Sequence, residues 1–159
     1  MGAEMIILDI DNCIADDAWR IPRINFQHAD PDRRYHDYHA LAPWDKRGNE
    51  ALFLNREDIA IFTARPVAFF APTAEWLQRN GVRWQHLLMR NAGDHRHSVE
   101  LKAQQLRWLL VHYDVEPQDI ECAYDDREDV CAMYREAGLK AERRWIHSVC
   151  AHTAPMVKA

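Results

Sequence analysis

An unbroken apolar run, Met5–Leu8, ends directly on Asp9-Ile10-Asp11, and this junction constrains the chain more than any other stretch. Continuous apolar residues with β-branched Ile6 and Ile7 predict a strand covered on both faces, as in a parallel sheet. Two carboxylates at its end raise each other's pKa unless a cation or a bound proton intervenes. The carboxyl edge of a parallel sheet is also where open α/β folds place their ligands. The pair therefore reads as part of a site, where a lone Asp-x-Asp would read as a solvated turn.

Strand and helix signals alternate along the rest of the chain. Asp58–Thr63 predicts a second strand ending on Thr63-Ala64-Arg65-Pro66, and a helix follows over Pro72–Asn80 with Gly81 as its stop. A weaker strand over His86–Met89 leads through a loop to a helix capped by Ser98, with Val99, Leu106, Leu109, Leu110 and Tyr113 on one stripe. Ile120–Tyr124 is a strand that runs into Asp125-Asp126. The next helix carries Val130, Met133, Tyr134 and Ala137 and stops at Gly138. A last short strand falls within Ala141–Ile146, and a short helix is expected over Lys46–Asn55. Residues 12–44 show no clean periodicity, and residues 147–159 read as a loosely held tail. This alternation predicts an α/β fold of three layers, a parallel sheet with helices on both faces. At 159 residues, 48% of them hydrophobic, a single domain over residues 1–159 is the expectation.

A net charge of −5 argues against a protein that coats long nucleic acid, which needs a basic face. It leaves room for a small anionic substrate, or a strand end, met by local arginines. No apolar stretch approaches a membrane span, and no signal-peptide pattern opens the chain. Cys13, Cys122, Cys131 and Cys150 are scattered without a Cys-x-x-Cys pair, which fits a reduced cytoplasmic protein better than a zinc site.

The informative polar residues all fall just past a strand or at a helix start: Asp9 and Asp11, Thr63 and Arg65, Lys102, and Asp125 and Asp126. In a parallel sheet these positions share one edge. Convergent carboxylates call for a hard cation, and oxygen-only ligands suit Mg²⁺ rather than zinc. With the cation present Asp9 can stay ionised and attack phosphorus, forming an aspartyl-phosphate. Asp11 is placed to protonate the leaving oxygen and then to activate water. Thr63 can hydrogen-bond a phosphoryl oxygen, and Lys102 can neutralise charge on the phosphoryl group.

This ordered set resembles the haloacid dehalogenase (HAD) superfamily of phosphatases through Leu8-Asp9-Ile10-Asp11-Asn12-Cys13, Phe62-Thr63-Ala64-Arg65, Lys102 and Tyr124-Asp125-Asp126. Within it the second half is similar to the 3′-phosphatase domain of phage-type polynucleotide kinase and its small stand-alone relatives. Leu88-Met89-Arg90, Gly93-Asp94-His95-Arg96, Asp125-Asp126-Arg127 and Met133-Tyr134-Arg135-Glu136-Ala137-Gly138-Leu139 carry that likeness. No Gly-x-x-x-x-Gly-Lys-Ser/Thr loop, and so no kinase domain, is present.

The resemblance implies a Rossmannoid five-stranded sheet with a small flap inserted after the first strand, over about residues 12–44. It implies Asp9 as nucleophile, Asp11 as acid/base, and Mg²⁺ held by Asp9, the backbone carbonyl of Asp11, and Asp125 or Asp126. Contacts to phosphate or ester are assigned to Arg20, Ala64, Arg65, Arg90 and Arg96. The chain departs from the family pattern at Asn12-Cys13, where Gly-Thr is usual, and at Ser98, where the polynucleotide phosphatases carry an aspartate. Asn tolerates a left-handed backbone, so the turn at Asn12 is expected to survive.

The implied substrate is a phosphomonoester, a nucleotide or the 3′-phosphate end of a nucleic acid, with no membrane and no obligate protein partner. A general small-metabolite phosphatase, a phosphotransferase and a non-hydrolytic phosphate-binding module are the rival readings. In the flap, Trp19, Tyr35 and Tyr38 could stack on a base or simply pack. His36 and His39 make only a weak metal pattern.

Overall fold

The computed structural model describes residues 4–149. Its strands are β1 (Met5–Leu8), β2 (Ala15–Asp16), β3 (Lys46–Arg47), β4 (Ile59–Pro66), β5 (His86–Arg90), β6 (Ile120–Asp125) and β7 (Ala141–Arg143). Its α-helices are α1 (Pro31–Arg34), α2 (His36–Ala40), α3 (Phe70–Arg79), α4 (Ser98–His112) and α5 (Glu128–Glu136). Five strands form one parallel sheet in the order β5-β4-β1-β6-β7, so the strand that carries Asp9 at its end is central.

The unbroken apolar run of β1 is explained by burial on two sides. Ile6 and Leu8 join Ile59, Ile61, Trp76 and Leu77 on one face, where α3 packs. Ile7 joins Phe62, Leu106, Leu109, Val130 and Tyr134 on the other, beneath α4 and α5. Burying one such side chain contributes about 1.5–3 kcal/mol. A one-residue slip of β1 would exchange the two sets, so the pattern specifies register. Gly81 and Gly138, at φ +79° and +90°, supply the left-handed turns that end α3 and α5.

Four local expectations need correction. The helix expected over Lys46–Asn55 is replaced by β3 and a single 3₁₀ turn, Glu50–Leu52, because Asn49 is left-handed (φ 51°) and breaks any continuous helix. β4 runs on past Thr63 to Pro66, where it pairs with Arg90. Ser98 is the first helical residue of α4 rather than its cap: His97 is in the cap position, and its Nδ1 accepts from the Val99 N–H at 3.3 Å. Tyr113 leaves the apolar stripe, lying past the end of α4 with its ring 4.2 Å from that of His86.

The aperiodic stretch after β1 is ordered. β2 and β3 pair antiparallel at its stem, Ala15 opposite Arg47 and Asp16 opposite Lys46. Between them α1, α2 and 3₁₀ turns enclose a separate apolar cluster of Ile21, Ile24 and Tyr38, with Phe26 and Tyr35 against it. Such short elements carry no readable period, which is why the segment looks featureless in sequence. The expected tail falls largely outside the described residues.

Candidate active site

Parallel pairing brings the strand ends together. Asp9 follows β1, its N–H bonded to the Tyr124 carbonyl of β6 at 3.1 Å, and Asp125 closes β6. Carboxylate oxygens of Asp9, Asp125 and Asp126 lie within 4.8 Å of one another, forming the one metal-type group of acidic, His or Cys side chains among the described residues. Lys102, from the second turn of α4, donates to Asp9 Oδ1 at 2.7 Å and also to Asp125. The backbone N–H of Arg127 donates to Asp125 Oδ1 at 3.0 Å and fixes that carboxylate's orientation. Asp125 and Asp126 both belong to the cluster, and Asp129 stands apart, paired with Arg127.

The electrostatics are those of an anionic cage with too little positive charge. Burial, then the Asp125 carboxylate, raises the Asp9 pKa against the pull of Lys102. Asp126 is raised further, by burial and then by Asp9 and Asp125. Burial works against charge on Lys102 as well, but Asp125 and Asp9 outweigh it and hold its pKa well above the ordinary lysine value. One ammonium faces three carboxyls, two of which hold their protons more tightly than usual, and the clustered ligand atoms are all carboxylate oxygens, which fits a hard cation such as Mg²⁺.

Asp11 lives in the opposite environment. Arg65 Nη2 donates to its Oδ1 at 2.8 Å, Arg65 Nε reaches Oδ2 at 3.2 Å, and Arg20 Nη2 closes on Oδ1. Burial opposes ionisation here, yet Arg65 and then Arg20 hold the carboxyl far below the usual range. Both arginines are buried, at 0% and 1% exposure, so they stand behind Asp11 and are not loose cations at the surface. Arg20 is itself gripped by Asp45, with Nη2 to Oδ2 at 2.7 Å, and its guanidinium lies 4.1 Å from the Tyr38 ring centroid. Arg65 also donates to Thr73 Oγ1 at 3.2 Å.

A cleft of about 300 Å³ opens between this sheet edge and the insert. Asp9, Asp11, Lys102 and Asp126 line it, together with Tyr35, Tyr38 and His39 of the insert. Ala64, Arg90 and Arg96 also line it, whereas Thr63, Arg20 and Arg65 do not. The Thr63 hydroxyl accepts the Arg65 N–H at 3.1 Å. Arg90 donates from Nε to the Ala64 carbonyl and from Nη1 to those of Asp94 and Arg96, shaping the loop after β5; Arg96 pairs with Asp94 at the rim.

Of the three aromatic residues offered for stacking, Tyr38 is buried with its hydroxyl on Asp17, and Trp19 donates its indole N–H to Asp45 at 2.9 Å. Tyr35 lines the cleft while its ring packs edge-on against Phe26 and Tyr38, with centroids 6.1 and 6.4 Å away. His36 and His39 both flank Phe69, with centroids 5.8 and 5.4 Å away, and neither joins the acidic cluster. Asn12 adopts φ 61°, as its residue type allows. Sequence reasoning missed Asp45 and Asp17. Each is a single polar residue in an aperiodic insert, where nothing local distinguishes a buried partner from a solvated side chain.

The profile of the family described as "Polynucleotide kinase PNKP phosphatase domain" matches residues 3–143. No curated protein matches the sequence. Among solved structures, a chain of the Pnkp1/Rnl/Hen1 RNA repair complex is similar with a TM-score of 0.63 and 19% identity, over 89% of this chain and 42% of that one. A HAD-like hydrolase from Streptococcus pneumoniae gives 0.58 and 10% identity, over 87% and 82%. A HAD enzyme from Bacteroides thetaiotaomicron, in complex with magnesium and inorganic phosphate, gives 0.53 and 12% identity, over 96% and 100%. The chain thus spans less than half the length of the RNA-repair chains it resembles.

Proposed function

Since the chain belongs to the PNKP phosphatase-domain family of HAD hydrolases, we propose that this phosphatase cleaves a phosphomonoester by way of a phosphoryl group carried on Asp9, acting on a nucleotide or on the 3′-phosphate end of a nucleic acid. The observation that carries the reading is that Asp9 and Asp11 line one cleft in opposite electrostatic settings, Asp9 with Lys102 and Asp11 with two arginines. Without a cation the pKa of Asp9 is raised and that of Asp11 depressed, the reverse of a resting nucleophile and acid, and a cation held by Asp9, Asp125 and Asp126 would return Asp9 to its ionised form.

In the first step a carboxylate oxygen of Asp9 bonds to phosphorus as the ester P–O bond breaks, and Asp11 gives a proton to the departing alcohol oxygen. In the second, water attacks phosphorus, Asp11 takes its proton, and the bond to Asp9 breaks to release phosphate. The two guanidiniums favour the ionised form of Asp11, which suits it to take water's proton in the second step, and donation in the first step requires that it first take up a proton from solvent or from the phosphate monoester. Lys102 holds Asp9 and offsets charge on the phosphoryl oxygens. Asp9, Asp125 and Asp126 would hold Mg²⁺, which supplies Lewis-acid neutralisation of those oxygens.

A cleft of about 300 Å³ lined by Tyr35, Arg90 and Arg96 can admit the end of a chain. The Pnkp relative in an RNA repair complex supports a nucleic-acid end, and the net charge of −5 favours a short end over a long duplex. Rates on 3′-phosphorylated oligonucleotides, nucleoside monophosphates and sugar phosphates, with and without Mg²⁺, test the reading. Preference for the oligonucleotide or nucleotide supports it. Preference for sugar phosphates replaces it with a small-metabolite phosphatase.

A further inference from the structure

Resting on that reading, the chain carries one more component of the site, in a place that looks like a mere turn. We propose that Asn12 is a positioning residue that ties Asp126 to a strap formed by residues 144–147, so that seating of the strap sets the affinity of the acidic cluster for its divalent cation.

An asparagine amide has two N–H donors and an oxygen with two lone pairs. At Asn12 all four are spent, and none within the turn. Nδ2 donates to Asp126 Oδ2 at 3.2 Å and to the His147 carbonyl at 3.1 Å. Oδ1 accepts the N–H of Ile146 at 3.1 Å and that of His147 at 2.9 Å. The left-handed backbone at φ 61° is one that glycine adopts more readily, so the turn alone does not call for this side chain. The amide instead joins two segments more than a hundred residues away in sequence, one of them a member of the cation cluster.

The strap is seated by further, independent devices. The Arg144 N–H donates to the Asp125 carbonyl at 2.9 Å. Asn49 Nδ2 bridges the Cys13 and Trp145 carbonyls at 2.8 and 3.3 Å. Gly48 provides the space for Ile146: a Cβ at position 48 would stand 2.8 Å from Ile146 Cδ1 and 3.0 Å from Cγ1. Beyond Asn12 the His147 ring reaches Asp17, which also accepts the Tyr38 hydroxyl of the insert. The strap, which follows β7, is therefore bonded to the end of β6, to the active-site turn and to the insert.

The test is titration calorimetry of the whole chain with Mg²⁺ alone, comparing wild type with Asn12→Gly and Gly48→Val. Loss of a partner that orients a ligand weakens metal binding by about 10- to 100-fold. Asn12→Gly is expected to fall in that range while keeping its circular dichroism spectrum. Gly48→Val, which displaces the strap without touching the cluster, is expected to weaken Mg²⁺ in the same direction; Ile146→Ala replaces it if it fails to fold. Hydrolysis of an aryl phosphate should show the same split, the Mg²⁺ requirement rising far more than kcat falls. Folded variants whose Mg²⁺ affinity stays within about twofold of wild type would reduce Asn12 to a turn residue and overturn the proposal. Wild-type protein that binds no Mg²⁺ would instead remove the phosphatase reading, and this inference with it.

Discussion

Arg65 Nη2 and Asp11 Oδ1 stand 2.8 Å apart, on an oxygen that Arg20 also grasps from the insert. With Asp45 on the far side of Arg20, two cations and two anions form a neutral cluster that joins the end of β4, the active-site turn and the insert. Buried ion pairs contribute little net stability when intact, because desolvation offsets attraction, but losing one member leaves an uncompensated charge.

Asp45→Ala therefore strands Arg20 and is expected to destabilise the protein by about 3–5 kcal/mol, measured by urea denaturation. Asp45→Asn keeps one accepting oxygen, enough for the Trp19 indole and Arg20 Nε, and should lose less. A change under about 1 kcal/mol in the alanine variant would mean that solvent reaches Arg20.

Asp11→Asn preserves the shape of the acid/base but removes its proton chemistry. Turnover of an aryl phosphate is expected to drop by about 10²–10⁴-fold with Mg²⁺ binding retained. A near-normal rate would reassign the acid.

Stability should respond to pH differently with and without the cation. Asp9 and Asp126 lie above their unfolded value of 3.8, at about 7 and about 10, so the native state holds extra protons there. Their contribution is complete below 3.8 and is lost as pH rises through those values. Asp11 runs the other way, contributing above 3.8 and losing that contribution on acidification. In metal-free protein Tm is expected to decline from about pH 5 to pH 8, and Mg²⁺ should flatten the decline. An identical profile in both conditions would separate the acidic cluster from cation binding.

Lys102→Met leaves Asp9 and Asp125 facing each other without the ammonium between them. It is expected to lower kcat by about 10²–10³-fold, the usual loss of a preorganised electrostatic group. Retention of wild-type kcat would make Lys102 a structural cation only.

How much of this was legible in the sequence depended on whether a residue's neighbours carried a repeating signal. β1 announced itself because burial on both faces leaves no polar residue in Met5–Leu8, and Asp9, Lys102, Asp125 and Asp126 follow from strands and helices that do have periods. Asp45, by contrast, follows a 3₁₀ turn in the insert, and only the folded arrangement puts it on Arg20. Arg20 and Arg65 were expected to face phosphate; their residue type suited an anion, but sequence does not say whether that anion is a ligand or Asp11. Ser98 and His97 show the same limit at a helix end, where one residue's difference turns on backbone angles alone.

The central claim is that Asp9 takes up the phosphoryl group. Acid quench during turnover, borohydride reduction and peptide mass spectrometry would convert an aspartyl-phosphate to homoserine. The account predicts homoserine at position 9, present only with substrate and Mg²⁺ and absent from Asp9→Asn. Undiminished hydrolysis by Asp9→Asn, with no reduced residue at position 9 in wild type, would contradict it.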